Sequence, residues 1–353
     1  MYSLKDATKT AIDTCLHVKP GEKVFIAADR SQFNIAYSLE AEAKRVLGTY
    51  GSVDMHILDN YFSKDVLSGK VEPGCKVDLP EQMLSSLKSS DVSMYITSGR
   101  EAIELTNKII DTATKGKRRH AQIAGITSDA FAEGMSSDYN EVKRYTEKVF
   151  DAVSLAEEIH ISNDQGTKLK AKITPKYKWV KDTGIAEESD YIELPDGEVF
   201  TTPEEVNGTV YTNLLGDNFD IEYGHLKFPL RYKIANSRLQ KGTVKCSNEK
   251  LKKEFIEYVE RYEDGDRVGE LALPTNIGLM RKEIKNKDVL LLVEKANVHV
   301  ALGAPPDDRI DADWDTLEDL ESHVDCIIPR SNVEIRTPKG RRQLMANGQY
   351  VNL

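Results

Sequence analysis

Two of the seven histidines stand beside acidic residues within apolar, strand-like segments. His299 lies in Val298-His-Val-Ala-Leu-Gly303, and His323 precedes Asp325 by two residues. Because side chains alternate between the two faces of an extended chain, the imidazole of His323 and the carboxylate of Asp325 point the same way. Such a pair can ligate a divalent metal ion. Single histidines of this kind are more often ordinary core or surface residues, so the pattern leaves a metal site and a structural role both open.

Two glutamates supply further carboxylates in the same half of the chain. Glu198 follows the turn-forming pair Asp196-Gly197 and begins a β-branched segment, where a backbone bend can aim its side chain into a cleft. Glu270 stands at the head of the apolar segment Gly269-Glu-Leu-Ala-Leu273. Taken alone, either acid is typical of a solvated surface.

Taken together, these segments resemble the metallopeptidase family of thermophilic aminopeptidase T, aminopeptidase S and PepS. The family carries Pro-x-Gly-Glu-Val-Phe, Gly-Glu-x-Ala-Leu, His-x-Ala-Leu-Gly and His-x-Asp segments in this order, and all four occur within residues 190–335. In the N-terminal half the resemblance rests on the alternation of strands and helices. The resemblance places the metal ligands on Glu198, Glu270, His299, His323 and Asp325.

The activity that the resemblance implies is an aminopeptidase that removes N-terminal residues from short peptides. Two histidines and three carboxylates can hold two divalent ions about 3.5–4 Å apart, which lowers the pKa of a bridging water and polarises the peptide carbonyl. Zinc, cobalt, manganese and magnesium are the candidate cofactors. A free N-terminal amine can ligate one ion and so restrict cleavage to the first residue. Glu270 is the expected catalytic carboxylate, as a bridge between ions or as a base.

The chain departs from the family pattern inside the active region, as expected of a divergent member. The family has a tyrosine seven residues after the histidine of its Ala-Leu-Gly segment, and this chain has Pro306 there. Leu273-Pro274 stands where the family tends to have Leu-Gly. A phenol that could orient substrate or stabilise an oxyanion is therefore missing, and Tyr211 or Tyr223 is a candidate substitute.

Two other functions remain open at this stage. The two histidines and Asp325 alone would form a two-histidine, one-carboxylate triad for mononuclear iron(II), and a dihydroxypyridine ring-cleaving dioxygenase resembles the same family. Glu198 and Glu270 argue against that enzyme, because a one-iron site needs no further acids. Pro306 keeps open a third interpretation, a non-catalytic descendant that binds a metal or a peptide.

The N-terminal residues 1–155 are expected to form a scaffold domain. Short β-rich runs, such as residues 24–27 and 92–97, alternate with helical periodicity, which predicts a doubly wound α/β domain around a parallel sheet. No G-x-G-x-x-G follows a predicted strand, and G-x-x-x-x-G-K-[ST] does not occur. The loops that cradle phosphates in nucleotide sites are therefore missing.

A second, β-rich mixed domain over residues 156–353 must position the metal-ligand candidates, which makes the chain α+β overall. Its alternating apolar pattern predicts strands, among them residues 289–293 and 297–302. One helix is predicted to start at a Ser247 cap and to end near Tyr262.

Composition narrows the partners further. The 48 Lys and Arg against 58 Asp and Glu give a net charge of −10, which repels phosphate backbones and attracts cations and amines. The apolar runs are far shorter than the roughly 18 residues of a membrane helix, and the four cysteines are scattered. These features and the net charge predict a cytoplasmic protein that binds neither nucleic acid nor a membrane. The family resemblance implies a homodimer acting on peptides. The acidic residues 307–321 predict a solvated loop with a short helix near Leu317 and Leu320.

Overall fold

A computed structural model describes residues 2–72, 75–116, 118–187, 190–217, 219–314, 322–351 and 353. The helix predicted near Leu317 and Leu320 lies outside these residues. The chain divides into two compact units, Met1–Lys143 with Thr183–Asp196, and Arg144–Asp182 with Gly197–Leu353. This division differs from a single boundary near residue 155, because residues 183–196 return to the first unit and add a strand to its sheet. Among the described residues, no helix has the length and apolarity to cross a membrane.

The first unit is built on a five-stranded parallel sheet. Its strands are β1 (Lys23–Ala28), β2 (Ser52–Ile57), β3 (Val92–Thr97), β4 (Arg119–Ala124) and β8 (Tyr191–Glu193), in the order β2-β1-β3-β4-β8. Its helices are α1 (Leu4–Thr10), α2 (Phe33–Leu47), α3 (Lys64–Leu67), α4 (Glu81–Ser89), α5 (Ile103–Thr114) and α6 (Ser128–Gly134). Parallel neighbours need crossover connections, which helices provide between β1 and β2, between β2 and β3, and between β3 and β4, and the strand order reverses at β1. The predicted doubly wound α/β fold is confirmed.

The second unit contains two antiparallel sheets and follows helix α7 (Tyr139–Val153), which begins in the first unit. The eight-stranded sheet has the order β12-β11-β10-β6-β5-β16-β17-β18, with β5 (Glu158–Ser162), β6 (Lys168–Lys172), β10 (Glu205–Thr212), β11 (Leu230–Ala235), β12 (Arg238–Leu239), β16 (Asn332–Thr337), β17 (Gly340–Ala346) and β18 (Gln349–Tyr350). The five-stranded sheet has the order β15-β14-β13-β9-β7, with β7 (Val180–Asp182), β9 (Glu198–Thr201), β13 (Val268–Pro274), β14 (Val298–Gly303) and β15 (His323–Ile328). One hydrophobic core draws residues from both sheets.

The helices of the second unit correct two predictions. They are α8 (Phe219–Tyr223), α9 (Glu249–Glu260), α10 (Ile277–Met280) and α11 (Leu290–Glu294). The N-cap of α9 is Asn248, whose side chain accepts from the Leu251 N–H at 3.1 Å, so the assignment of Ser247 as the cap is wrong by one residue. The strand predicted at residues 289–293 is also wrong. That run forms α11, because an apolar run this short does not distinguish a strand from a turn of buried helix.

A buried histidine of the first unit has a strongly lowered pKa. His120 on β4 is fully buried, with Nδ1 at 2.8 Å from Ser93 Oγ and the ring stacked on Tyr191. Burial, helped by the nearby charge of Arg118, lowers the pKa of His120 to about 3. The imidazole is therefore neutral in the folded protein at all but strongly acidic pH.

Folding stability should decline as the pH falls from 6.5 towards 3. In this interval the unfolded His120 takes up a proton at its ordinary pKa of 6.5 while the folded one does not, so the histidine contributes a loss of about 1.4 kcal/mol per pH unit. Urea unfolding of wild type and His120→Asn at about pH 7 and pH 5 measures this. The difference in free energy of unfolding between the two proteins should shift by about 2 kcal/mol in favour of the variant. An unchanged difference would contradict a neutral buried imidazole.

Candidate metal centre

Four neighbouring strands of the five-stranded sheet carry the five predicted ligands, which are Glu198 on β9, Glu270 on β13, His299 on β14, and His323 and Asp325 on β15. Ala301 of β14 faces Glu270 on one side and Asp325 on the other, and Gly303 faces His323. On β13, Ala272 faces His299 and Pro274 faces Glu198. Cross-strand partners share a face and side chains alternate along each strand, so all five predicted ligands project from one face of this sheet.

The other face of the same strands is apolar. Leu271, Val300 and Val324 alternate with the ligands and lie in the hydrophobic core. The residues that separate the ligands on their own face, Ala272 and Ala301, are small and leave room between the longer side chains. Register and residue size together therefore form a polar recess on this sheet.

The charged ends of the five side chains lie close together. His323 Nε2 is 3.1 Å from Glu270 Oε2 and 3.4 Å from Asp325 Oδ1. His299 Nε2 is 3.6 Å from Glu198 Oε2 and 3.9 Å from both Glu270 Oε1 and Asp325 Oδ1. Glu270 therefore occupies the middle of the cluster, with one oxygen towards each imidazole.

Backbone carbonyls determine which ring nitrogen of each histidine faces the carboxylates. His323 Nδ1 lies 2.8 Å from the Ala304 carbonyl oxygen, and His299 Nδ1 lies 3.4 Å from that of Asn297. A carbonyl oxygen only accepts hydrogen bonds, so each Nδ1 carries the hydrogen and each neutral ring presents the Nε2 lone pair to the cluster. Metal-binding histidines are commonly oriented in this way.

The donor set fits a divalent ion. Glu270, His323 and Asp325 offer one ligand atom each, all within 4.8 Å of one another, and atoms that share an ion at about 2.0–2.3 Å lie roughly 3–4 Å apart. Glu198 Oε2 is buried and has no hydrogen-bond partner among the residues that the structure describes. A Cβ on Gly216 would lie 2.9 Å from Asp325 Oδ2, so this glycine keeps that carboxylate uncovered. An orphaned carboxylate oxygen and an uncovered one both suit a cation.

A buried lysine also belongs to the cluster and was missed by sequence reasoning. Lys295 follows α11 as its C-cap and is 3% exposed. Its Nζ donates to Glu198 Oε1 at 2.6 Å and lies 3.1 Å from Glu294 Oε1. Lysine is rarely buried unless it is paired, and here two carboxylates pair with it. A single lysine between apolar runs does not form a recognisable sequence motif. The wrong prediction of a strand at residues 289–293 also gave no reason to place this lysine near the site.

The phenols around the site differ from expectation. Tyr258 of α9 accepts a hydrogen bond from the His323 backbone N–H at 2.9 Å. The two candidate substitutes for the family tyrosine make other contacts, since Tyr211 lies beneath the guanidinium of Arg231 and Tyr223 donates to Glu254. Tyr258 is therefore a phenol that contacts a predicted ligand, and nothing in its sequence context marked it.

Charges within the cluster shift its protonation equilibria. Burial disfavours the imidazolium of His323, but the carboxylates of Asp325 and Glu270 outweigh it and raise the pKa well above the usual value. Burial also opposes ionisation of Asp325, yet the charges of His323 and His299 hold its pKa at about 2. The Glu198 carboxyl behaves differently, because burial raises its pKa to about 7 against the pull of Lys295. Opposed shifts of this size are typical of functional sites.

Comparison with known proteins finds a matching family model and similar solved structures. A family model described as thermophilic metalloprotease (M29) matches residues 128–349, which include all five predicted ligands. The chain is similar to the structure of 2,5-dihydroxypyridine dioxygenase from Pseudomonas putida KT2440, with TM-score 0.70 and 13% identity over 99% of this chain and 97% of the other. It is also similar to wild-type AmpT from Thermus thermophilus, with TM-score 0.69 and 16% identity over 99% and 98%. No curated protein sequence matches it significantly. At these identities the two structures support the fold alone.

Asp325→Asn should weaken binding of a divalent ion by more than the roughly 10–100-fold that loss of a supporting partner costs, because it removes a charged oxygen from the cluster. The fold should persist, since a chain of this size has ample core without a metal. Equilibrium dialysis against Mn²⁺ or Zn²⁺ with elemental analysis measures occupancy, and circular dichroism checks the fold. His160→Asn is the matched control, because His160 lies on β5 and pairs with Glu158. Full metal occupancy in the Asp325 variant would refute this assignment.

Proposed function

The chain belongs to the thermophilic metalloprotease (M29) family, and we propose that it is a metal-dependent aminopeptidase that releases the N-terminal residue of short peptides. The observation that carries this proposal is the convergence of two Nε2 atoms and three carboxylates, with Glu270 between the imidazoles. Membership of the family makes it a metallopeptidase, a hydrolase.

The five clustered residues can be divided between two divalent ions, for which zinc, cobalt, manganese and magnesium are candidates. Glu270, His323 and Asp325 would hold one ion, and Glu198 and His299, with the second oxygen of Glu270, the other. Divalent ions in such a site lower the pKa of water and polarise a peptide carbonyl. A one-iron dioxygenase would use neither Glu198 nor the central Glu270, which favours the peptidase.

Glu270 is the proposed catalytic residue. Its carboxylate is 3% exposed and directs Oε2 to His323 and Oε1 to His299. A carboxylate in that position can bridge two ions or accept the proton of an attacking water molecule, and both roles require it to sit at the centre of the recess. Asp325, with a pKa of about 2, stays ionised throughout the working range and provides constant negative charge.

The charge of the recess also favours a substrate with a free amine. Asp182 of β7 lies directly opposite Glu198 in the sheet and is bound by Arg309 at 3.0 Å, so the carboxylates that can meet an amine are those of the five predicted ligands. Negative charge in a concave site attracts an N-terminal ammonium group. A peptide with a blocked N-terminus lacks that group, and this is the basis for proposing an exopeptidase.

The resemblance described above also implies the assembly and the location. On that ground we propose a homodimer in the cytoplasm. Light scattering of the purified protein tests the assembly, and a monomer at micromolar concentration would refute it.

Exopeptidase activity should depend on the free amine and on Glu270. The metal-loaded protein, supplied with Mn²⁺, Co²⁺, Zn²⁺ or Mg²⁺, should release the first residue of short peptides and leave their N-acetylated forms intact. Glu270→Gln should abolish turnover, whereas Glu334→Gln, a control on β16 with an ion pair to Arg341, should not. Mass spectrometry of the products measures both effects.

Three outcomes would contradict the proposal. Cleavage of internal bonds in acetylated peptides would indicate an endopeptidase. Oxygen-dependent consumption of 2,5-dihydroxypyridine with Fe²⁺ would favour the dioxygenase. Absence of peptide hydrolysis with all four ions would leave the non-catalytic interpretation first.

Pro306→Tyr should raise kcat if a missing phenol limits turnover. Pro306 is exposed in the segment after β14, two residues beyond the carbonyl of Ala304 that orients His323. One added oxyanion donor is worth about 10²–10³ in turnover, and metal content should not change. Pro306→Phe, which lacks the hydroxyl, is the control. Equal effects of both substitutions, or no gain with tyrosine, would contradict the missing-donor account.

A further inference from the structure

Lys295 gives the two ends of the metal centre different affinities for cations. We propose that the Lys295 ammonium is a resident cation that competes with one divalent ion, so that the centre binds a first ion tightly at Glu270, His323 and Asp325 and a second ion weakly at Glu198. This inference rests on the proposed metal-dependent function, and it concerns the occupancy of the centre.

Contacts at Glu198 divide its carboxylate between two cations. Lys295 Nζ lies 2.6 Å from Oε1, with both side chains almost fully buried. The other oxygen, Oε2, faces His299 Nε2 at 3.6 Å and lacks a hydrogen-bond partner within the described residues. A divalent ion at this end therefore meets a carboxylate of which one oxygen is already bound to an ammonium group.

Like charges on one buried carboxylate repel each other strongly, because the surroundings screen them poorly. An ion that binds beside Glu198 must share it with Lys295 or displace the lysine. Displacement is costly as well, since Glu294 holds Lys295 from the other side at 3.1 Å, and moving a buried lysine away from these carboxylates removes compensating charge.

At the opposite end of the centre, the groups that pair with Glu270 and Asp325 within the described residues are imidazoles. His323 has Nδ1 towards the Ala304 carbonyl oxygen and Nε2 towards the two carboxylates, which is the orientation of a metal ligand. An ammonium group has three donors and no lone pair, so it is not a ligand. One end thus offers three ligand atoms to a metal ion, while the other end holds a positive charge that a metal ion must oppose.

The backbone at the end of α11 fixes the position of Lys295. It caps α11 at φ −68° and ψ −5°, directly after Glu294 and four residues before His299. The pairing with Glu198 joins residues 97 positions apart in the sequence. At metal concentrations that saturate the first site, the occupancy of the second site would therefore still rise with metal concentration.

Titration with Mn²⁺, followed by electron paramagnetic resonance of the free ion and by calorimetry, tests this directly. The wild-type protein should bind one Mn²⁺ tightly and a second at least about tenfold more weakly. In Lys295→Met, which removes the charge and keeps a similar length, the second ion should bind at least about tenfold more tightly than in wild type. Lys295→Arg keeps the charge and should retain the weak second site. Lys172→Met is the control, because Lys172 pairs with Glu204 at 2.7 Å and lies on β6.

The results that would overturn the inference are specific. Two ions bound equally tightly by the wild-type protein refute the inference without any variant. The test therefore remains decisive even if a variant fails to fold. An unchanged second affinity in a folded Lys295→Met refutes competition, and weaker binding of both ions would make Lys295 a residue that positions Glu198. Split affinities in a protein that hydrolyses no peptide would refute the proposed function and leave this inference standing.

Discussion

Three largely buried carboxylates on one face of a β-sheet must be compensated by positive charge, and the groups that pair with them meet that requirement. Glu198, Glu270 and Asp325 project beside one another because their strands are neighbours in register. Left unpaired, buried carboxylates would cost several kcal/mol each. Imidazoles, a lysine and, in the proposed holoprotein, divalent ions are alternative ways to meet the same electrostatic demand.

The compensating groups differ in chemistry. His299 and His323 are held by backbone carbonyls with Nε2 towards the carboxylates, so they can serve either as cations or as ligands. Lys295 can serve only as a cation in its charged form. The recess therefore contains two imidazoles that can bind a metal ion and one ammonium group that can only oppose it. This asymmetry follows from side-chain chemistry and from the helix that carries Lys295.

The apolar side of the sheet makes the polar side possible. Leu271, Val300 and Val324 anchor the same strands in the core shared with the eight-stranded sheet. Rigid strands hold side chains more accurately than loops, which suits a site whose ligand atoms must lie within fractions of an ångström of their positions. The parallel sheet of the first unit carries no comparable cluster of metal ligands among the described residues.

Much about this protein is determined by the sequence alone. Alternation of β-rich and helical segments predicted the doubly wound fold, and four motifs indicated the family and predicted the five ligands, because period-two patterns and residue types are local properties. Tertiary structure decided what local patterns do not contain. The return of Thr183–Asp196 to the first sheet, the Asn248 cap and the helical form of Leu290–Glu294 depend on packing partners. The contact of Lys295 with Glu198 depends on two segments 97 residues apart, and only the folded chain brings such a pair together.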